Sequence, residues 1–155
     1  MAARTIASPI GNLTIIVENG AISALNWRHP ARSDRDSMLD RAESQLEAYF
    51  SGDLQAFDLP LAPRGSRHEL AVWLAMRDIP AGRTLSYGAI ADAIGSSSRA
   101  VGGACGRNPI PVIIPCHRVV GASGALGGYS GGAGAETKRY LLEHERAAGF
   151  TDRLI

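Results

Sequence analysis

The chain is poor in cysteine. Its 155 residues include only Cys105 and Cys116, too few to staple a small secreted fold, and their spacing matches no zinc motif. No apolar run is long enough to cross a bilayer, and no charged leader precedes an apolar stretch. These absences predict a cytoplasmic protein with free thiols, no membrane association and no metal. Charge of one sign is scarce as well: 16 Lys and Arg against 15 Asp and Glu leave a net charge of +1. No global basic field announces nucleic acid, so any such contact must come from a local surface. Arg99, Arg107, Arg118, Lys138 and Arg139 all fall in the second half. Residues 127–134 are rich in glycine but hold no Gly-x-Gly-x-x-Gly between a strand and a helix, which excludes a dinucleotide fingerprint. They read as a loop whose backbone must come close to a partner.

What is present is an ordinary globular composition, 45% hydrophobic and 20% charged, long enough for one domain or two small lobes. Residues 4–27 read as an antiparallel meander: Thr5-Ile6-Ala7-Ser8, then Leu13 to Val17, then Ala21 to Leu25 after an Asn19-Gly20 turn. Residues 35–50 show a helical stripe of Met38, Leu39, Ala42, Leu46, Tyr49 and Phe50, with Asp34 as the expected cap and Gly52 as the stop. Nothing in this first part looks like a site; His29 beside Pro30 reads as a loop histidine. The Pro- and Gly-containing stretch 53–65 marks the expected boundary. The fold class is therefore α+β: a small N-terminal sheet-and-helix lobe over residues 1–62 and a mainly helical C-terminal lobe over residues 63–155.

The second lobe opens on Ser66-Arg67-His68-Glu69, a capping box, followed by Leu70, Trp73, Leu74 and Arg77 at helical spacing. Ser86 caps a short helix ending at Ile94, Gly95-Ser96-Ser97 makes a turn, and a second helix covers residues 98–106. This is the helix-turn-helix plan, although an ordinary helical hairpin has the same spacing. The second helix carries Gly102, Gly103 and Gly106, each costing roughly 1 kcal/mol relative to Ala. Its smoothness suits close approach, either to a nucleic-acid groove without base reading or to the proline-rich segment that follows. Residues 119–126 read as a hairpin. A last helix over residues 136–148 buries Tyr140, Leu141 and Leu142 and carries Glu145.

Between the helices lies Asn108-Pro109-Ile110-Pro111-Val112-Ile113-Ile114-Pro115-Cys116-His117-Arg118-Val119. Three prolines resist helix, and Val112, Ile113 and Ile114 read as a short buried strand. Cys116 would stand at the end of a stiff apolar strut beside a base. That suits a nucleophilic thiolate, which needs a proton acceptor nearby, and it also suits a buried structural cysteine.

Arg99-Ala100-Val101-Gly102-Gly103-Ala104, Asn108-Pro109 and Pro115-Cys116-His117-Arg118-Val119 together resemble the signature of the O6-alkylguanine-DNA alkyltransferases, also called methylated-DNA–protein-cysteine methyltransferases. The resemblance spans about residues 66–148. It implies a helix-turn-helix in the minor groove of duplex DNA, a flipped O6-alkylguanine, and transfer of the alkyl group to Cys116. His117 would take the thiol proton through a water, and Glu145 would orient His117. Asn108 would anchor the turn under the thiol. Tyr87 would help rotate the nucleotide and donate to the leaving purine. Arg99 would fill the base stack, with Ala100, Gly103 and Ala104 against the DNA. Tyr129, Ser130, Val119 and Lys138 would line the base pocket. The first lobe lacks the Cys and His ligands that hold zinc in some members, so no zinc is expected. No cofactor is implied, and the protein is expected to be a monomer acting once per molecule, at the nucleoid in a prokaryote. O4-alkylthymine is a further candidate substrate. The rivals are a non-catalytic alkyltransferase-like lesion binder, a Cys-His hydrolase and a plain DNA-binding regulator. The first would lack the thiol, the second would need a nucleophile elbow, and the third would leave Pro115-Cys116-His117 without a purpose.

Overall fold

Asn19 and Gly20 both adopt left-handed backbone, with φ of 51° and 77°, the conformation that a two-residue hairpin turn requires. The turn joins β2 (Leu13–Glu18) to β3 (Ala21–Asn26), and β1 (Ala2–Ile6) pairs with the other edge of β2, all antiparallel. The computed structural model describes residues 1–147. α1 (Ser37–Phe50) packs on this sheet and buries Leu39, Ala42, Leu46 and Tyr49. Its cap is Asp36, whose carboxylate accepts from the Met38 and Leu39 amides. The expected cap, Asp34, instead accepts from the Ala3 amide and Arg32, tying the strand edge to the loop before the helix. Residues 53–65 return along β3, where Ile22 N donates to Pro60 O and Ala62 N to Ile22 O.

α2 (Arg67–Arg77) begins with the reciprocal Ser66–Glu69 capping box. Its inward stripe is Val72, Trp73 and Met76, while Leu70 and Leu74 are exposed. Trp73 sets that rotation, because its indole donates 2.9 Å to the Ala104 carbonyl deep in the core. α3 (Tyr87–Ile94) and α4 (Ser98–Gly106) follow, capped by Ser86 and Ser97 and joined through left-handed Gly95. α2, α3 and α4 pack on one another, which is the helix-turn-helix arrangement.

Two expectations fail beyond α4. Residues 119–126 form no hairpin. β5 (Val119–Val120) pairs in parallel with β4 (Leu85–Ser86), and a 3-10 turn at Ala122–Gly124 follows. The run of Gly and Ala offers a second strand nothing to bury. α5 (Ala135–His144) ends before Glu145, which caps it; of the longer helix expected, Ala148 lies outside the described residues. One hydrophobic core runs from Ile6 through Tyr49, Trp73 and Cys116 to Leu141.

Candidate active site

The segment before Cys116 is a folded loop, not the extended strut the prolines suggested. Val112 takes φ of 73°, an uncommon conformation for a β-branched residue that costs on the order of 1–3 kcal/mol. It turns the chain back, so that Ile114 N donates to Ile110 O at 2.8 Å. Asn108 clamps both ends of the loop: its amide donates 2.8 Å to Ile114 O and its oxygen accepts from Ile110 N. Pro115, at φ −83° and ψ 67°, forms an inverse γ-turn closed by Cys116 N and Ile114 O, and Cys116–Arg118 then makes one 3-10 turn. The prolines stiffen a turn, not the strand that their spacing predicts. The β-branched run conceals this, because buried apolar residues look alike in a strand and in a packed loop.

That turn fans three consecutive side chains into the interior. Cys116 is 7% exposed and His117 is fully buried. His117 Nε2 lies 2.8 Å from Glu145 Oε2. A carboxylate only accepts, so Nε2 carries the proton and the neutral ring keeps its lone pair on Nδ1. Nδ1 is buried with no hydrogen-bond partner among the described residues. Arg118 grips the same carboxylate twice, Nε to Oε1 and Nη2 to Oε2, each at 2.8 Å, and donates 2.6 Å to Ile79 O. Tyr49 of α1 adds its hydroxyl to Oε2 at 2.7 Å. Burial alone would raise the Glu145 pKa, but the Arg118 and His117 hydrogen bonds outweigh it and hold the carboxyl well below its ordinary range. Burial lowers the His117 pKa, against the pull of Glu145. Burial raises the Cys116 pKa, opposed by the Asn108 hydrogen bond and the Lys138 charge. The resting pair is therefore a neutral thiol beside a neutral imidazole.

Cys116 forms the floor of a cavity of about 630 Å³, lined by Tyr87, Gly102, Cys105, Gly106, Gly127, Gly128, Tyr129 and Ser130. α4 contributes Gly102 and Gly106, so the mouth is framed by backbone instead of side chains. Tyr87 enters from the start of α3, and burial with the neighbouring thiols pushes its hydroxyl up to about 12. Gly127, at φ 74°, lets the Tyr87 hydroxyl pass where a Cβ would lie 3.1 Å away. Lys138 is fully buried behind it, donating 3.3 Å to both Tyr87 Oη and Gly128 O. The Tyr129 hydroxyl is buried near enough to Cys116 to favour its thiolate, yet its geometry falls short of a hydrogen bond. The Tyr129 ring meets Trp27 edge to face at 6.4 Å. Ser130 donates 3.1 Å to Gly106 O, tying the glycine-rich loop to α4.

The remaining candidates sort by helix face. Arg99 is exposed and, with Ala100, Gly103, Ser97, His68 and Arg107, lines a shallow outer depression. Ala104, expected against DNA, is fully buried with its carbonyl bound to Trp73, because Val101, Ala104 and Cys105 form the inward face of α4. Val119, expected in the pocket, is buried in β5 and does not line the cavity. Sequence reading missed Arg118 as a partner of Glu145, Cys105 in the cavity wall and Tyr49. Arg118 sits inside the quoted signature; only its burial distinguishes it from a solvent-facing charge.

The family model for the 6-O-methylguanine DNA methyltransferase DNA-binding domain matches residues 67–147, and that for the ribonuclease-like domain of the same proteins matches residues 1–63. Methylated-DNA–protein-cysteine methyltransferase of Mycobacterium tuberculosis is 45% identical over 96% of this chain and 94% of its own. The constitutive enzyme of that name from Bacillus subtilis is 38% identical over 92% and 93%. The crystal structure of Mycobacterium tuberculosis OGT in complex with DNA superposes with a TM-score of 0.86 at 45% identity, covering 98% of this chain and 97% of that one. Matched along both halves by sequence and by fold, the chain belongs to the methylated-DNA–protein-cysteine methyltransferase family.

Proposed function

We propose that this protein binds duplex DNA through the minor groove and moves the alkyl group of a flipped O6-alkylguanine to its own Cys116. The observation that carries the reading is Cys116 at the floor of a cavity large enough to admit a base, with His117 and Glu145 2.8 Å apart behind it. The Cys116 sulfur attacks the saturated carbon, the S–C bond forms, and the C–O6 electrons pass to the purine. The thiol proton leaves toward the free Nδ1 of His117 through a water, while Glu145 holds Nε2–H. Tyr87 donates to the purine ring as charge develops, and Lys138 beside it stabilises the phenolic oxygen. Because burial keeps thiol and imidazole neutral, proton departure accompanies attack.

The product is a thioether, and no group in the cavity can cleave it, so each molecule acts once. Arg99, with Ala100 and Gly103, forms the DNA-facing edge of α4, and Arg99 fills the stack left by the flipped base. Affinity rests on phosphate contacts, hence falls with salt and varies little with sequence. A non-catalytic lesion binder would have no use for a thiol at this floor. The test is to incubate the protein with duplex carrying O6-methylguanine and weigh it intact. One methyl on Cys116, absent in Cys116→Ser, is expected; repeated turnover or an unchanged mass would refute the reading.

A further inference from the structure

We propose that Tyr49, which belongs to the N-terminal lobe, is a positioning residue for alkyl transfer: its hydroxyl holds the Glu145 carboxylate in the pose from which His117 is oriented. The proposal rests on the reading above and extends the proton relay across the lobe boundary.

Glu145 stands at the C-cap of α5, past the last helical residue, so its side chain depends on its partners for placement. Oε2 receives three donors: His117 Nε2, Arg118 Nη2 and Tyr49 Oη. Tyr49 is held firmly enough to act as a stop. Its ring is 2% exposed and packs against Phe50, Phe57 and His144 with centroids 5.0–5.4 Å apart. Its carbonyl is 2.7 Å from His144 Nε2, a second tie between α1 and α5. Phenylalanine would fill the same aromatic cage without the desolvation cost of a buried hydroxyl. The hydroxyl is therefore explained by the carboxylate it reaches, not by packing.

The hydrogen bond also has an electrostatic consequence. By drawing on Oε2, the phenol moderates the pull of Glu145 on the His117 proton. The other groups around the relay are Arg118 and Cys116 on the 3-10 turn, Lys138, Tyr140 and His144 on α5, and Tyr129 on the glycine-rich loop. Arg118 and Lys138 lower the His117 pKa. Losing the phenol leaves Glu145 a stronger acceptor, so the imidazole holds its proton to higher pH.

The experiment is single-turnover alkyl transfer against pH with saturating O6-methylguanine duplex, for Tyr49→Phe and for Phe57→Leu, which loosens the same cage but keeps the hydroxyl. Imidazole titrations by nitrogen NMR accompany it. Tyr49→Phe is expected to react about tenfold more slowly at neutral pH with unchanged DNA affinity. Its acid limb and its His117 titration are expected to move up by roughly half to one pH unit. Phe57→Leu should keep the native midpoint. A native profile in Tyr49→Phe, or the same shift in both variants, overturns the proposal. If the native protein gains no methyl, the alkyl-transfer reading fails separately, and the NMR titration still decides whether Tyr49 acts on His117.

Discussion

The Lys138 ammonium lies 3.3 Å from the Tyr87 hydroxyl and is fully buried. Burial lowers its pKa from 10.5 to about 8, opposed by its electrostatic interaction with Cys116 and Cys105. The partner of the Tyr87 hydroxyl is thus a cation held close to deprotonation.

Substituting Lys138→Met should stabilise the fold and slow the reaction. Between pH 8 and 10.5 the unfolded chain keeps a proton that the folded chain has released, so stability rises with pH across that window. Below it the full penalty stands, on the order of 3 kcal/mol before the lost hydrogen bonds are subtracted. Urea unfolding against pH should show the variant ahead at neutral pH by about 1–2 kcal/mol, with the lead shrinking above pH 8. A pH-independent deficit would contradict this.

Glu145→Gln should be costly in a different pH range. The substitution leaves the Arg118 guanidinium, 7% exposed, without its counter-charge, a loss of roughly 3–5 kcal/mol. The Glu145 pKa is depressed from 4.5, so its contribution is complete above that value and disappears as pH falls through the much lower folded value. Urea unfolding should therefore find a deficit that is flat around neutrality and narrows only in acid. Transfer to Cys116 should fall by about a hundredfold or more as the imidazole loses its orienting base.

Asn108→Ala should loosen the loop beneath the thiol. Ile110 N loses its partner and Ile114 O keeps only the Cys116 amide, which costs about 1–2 kcal/mol. The Cys116 thiolate also loses a supporting hydrogen bond. Chemical denaturation should register the first effect, and a thiol titration followed by alkylation rate should show the Cys116 pKa moving further up.

Gly102 separates stability from access. A Cβ there would sit 3.9 Å from the Tyr87 ring, an ordinary contact, so Gly102→Ala should gain about 1 kcal/mol from helix propensity. Gly102→Leu would project into the cavity mouth. DNA affinity should change little while single-turnover transfer drops steeply; equal transfer rates in the two variants would show that the base enters elsewhere.

Much of the framework was legible because its signals are local. Asn19-Gly20 encodes a hairpin through backbone sterics, and Ser66 with Glu69 encodes a helix start through two reciprocal hydrogen bonds. Ser86 encodes the start of α3 through a single bond accepted from the Ala89 amide; Ser97, which reads as part of a turn, caps α4. Val112 to Ile114 looked like a strand because residue preference cannot register a positive φ imposed by the Asn108 clamp. The helical period of α2 does not say which side faces inward; Trp73 and its distant carbonyl decide that. Asp34 and Asp36 are both plausible caps until the strand edge claims one of them.

Residue order alone determined the chemistry on offer: an acceptor sulfur, an imidazole next to it, an asparagine eight positions earlier and a smooth helix beyond an arginine. It determined the helix starts and the hairpin too, since each depends on neighbours within a few residues. Only the tertiary structure decided what that chemistry is connected to. Tyr49 meets Glu145 across 96 positions, and Arg118 turns inward to neutralise the carboxylate it shares with His117. Ala104 turns away from the outer surface of α4. Such pairings depend on burial, and burial is a property of the whole packed chain.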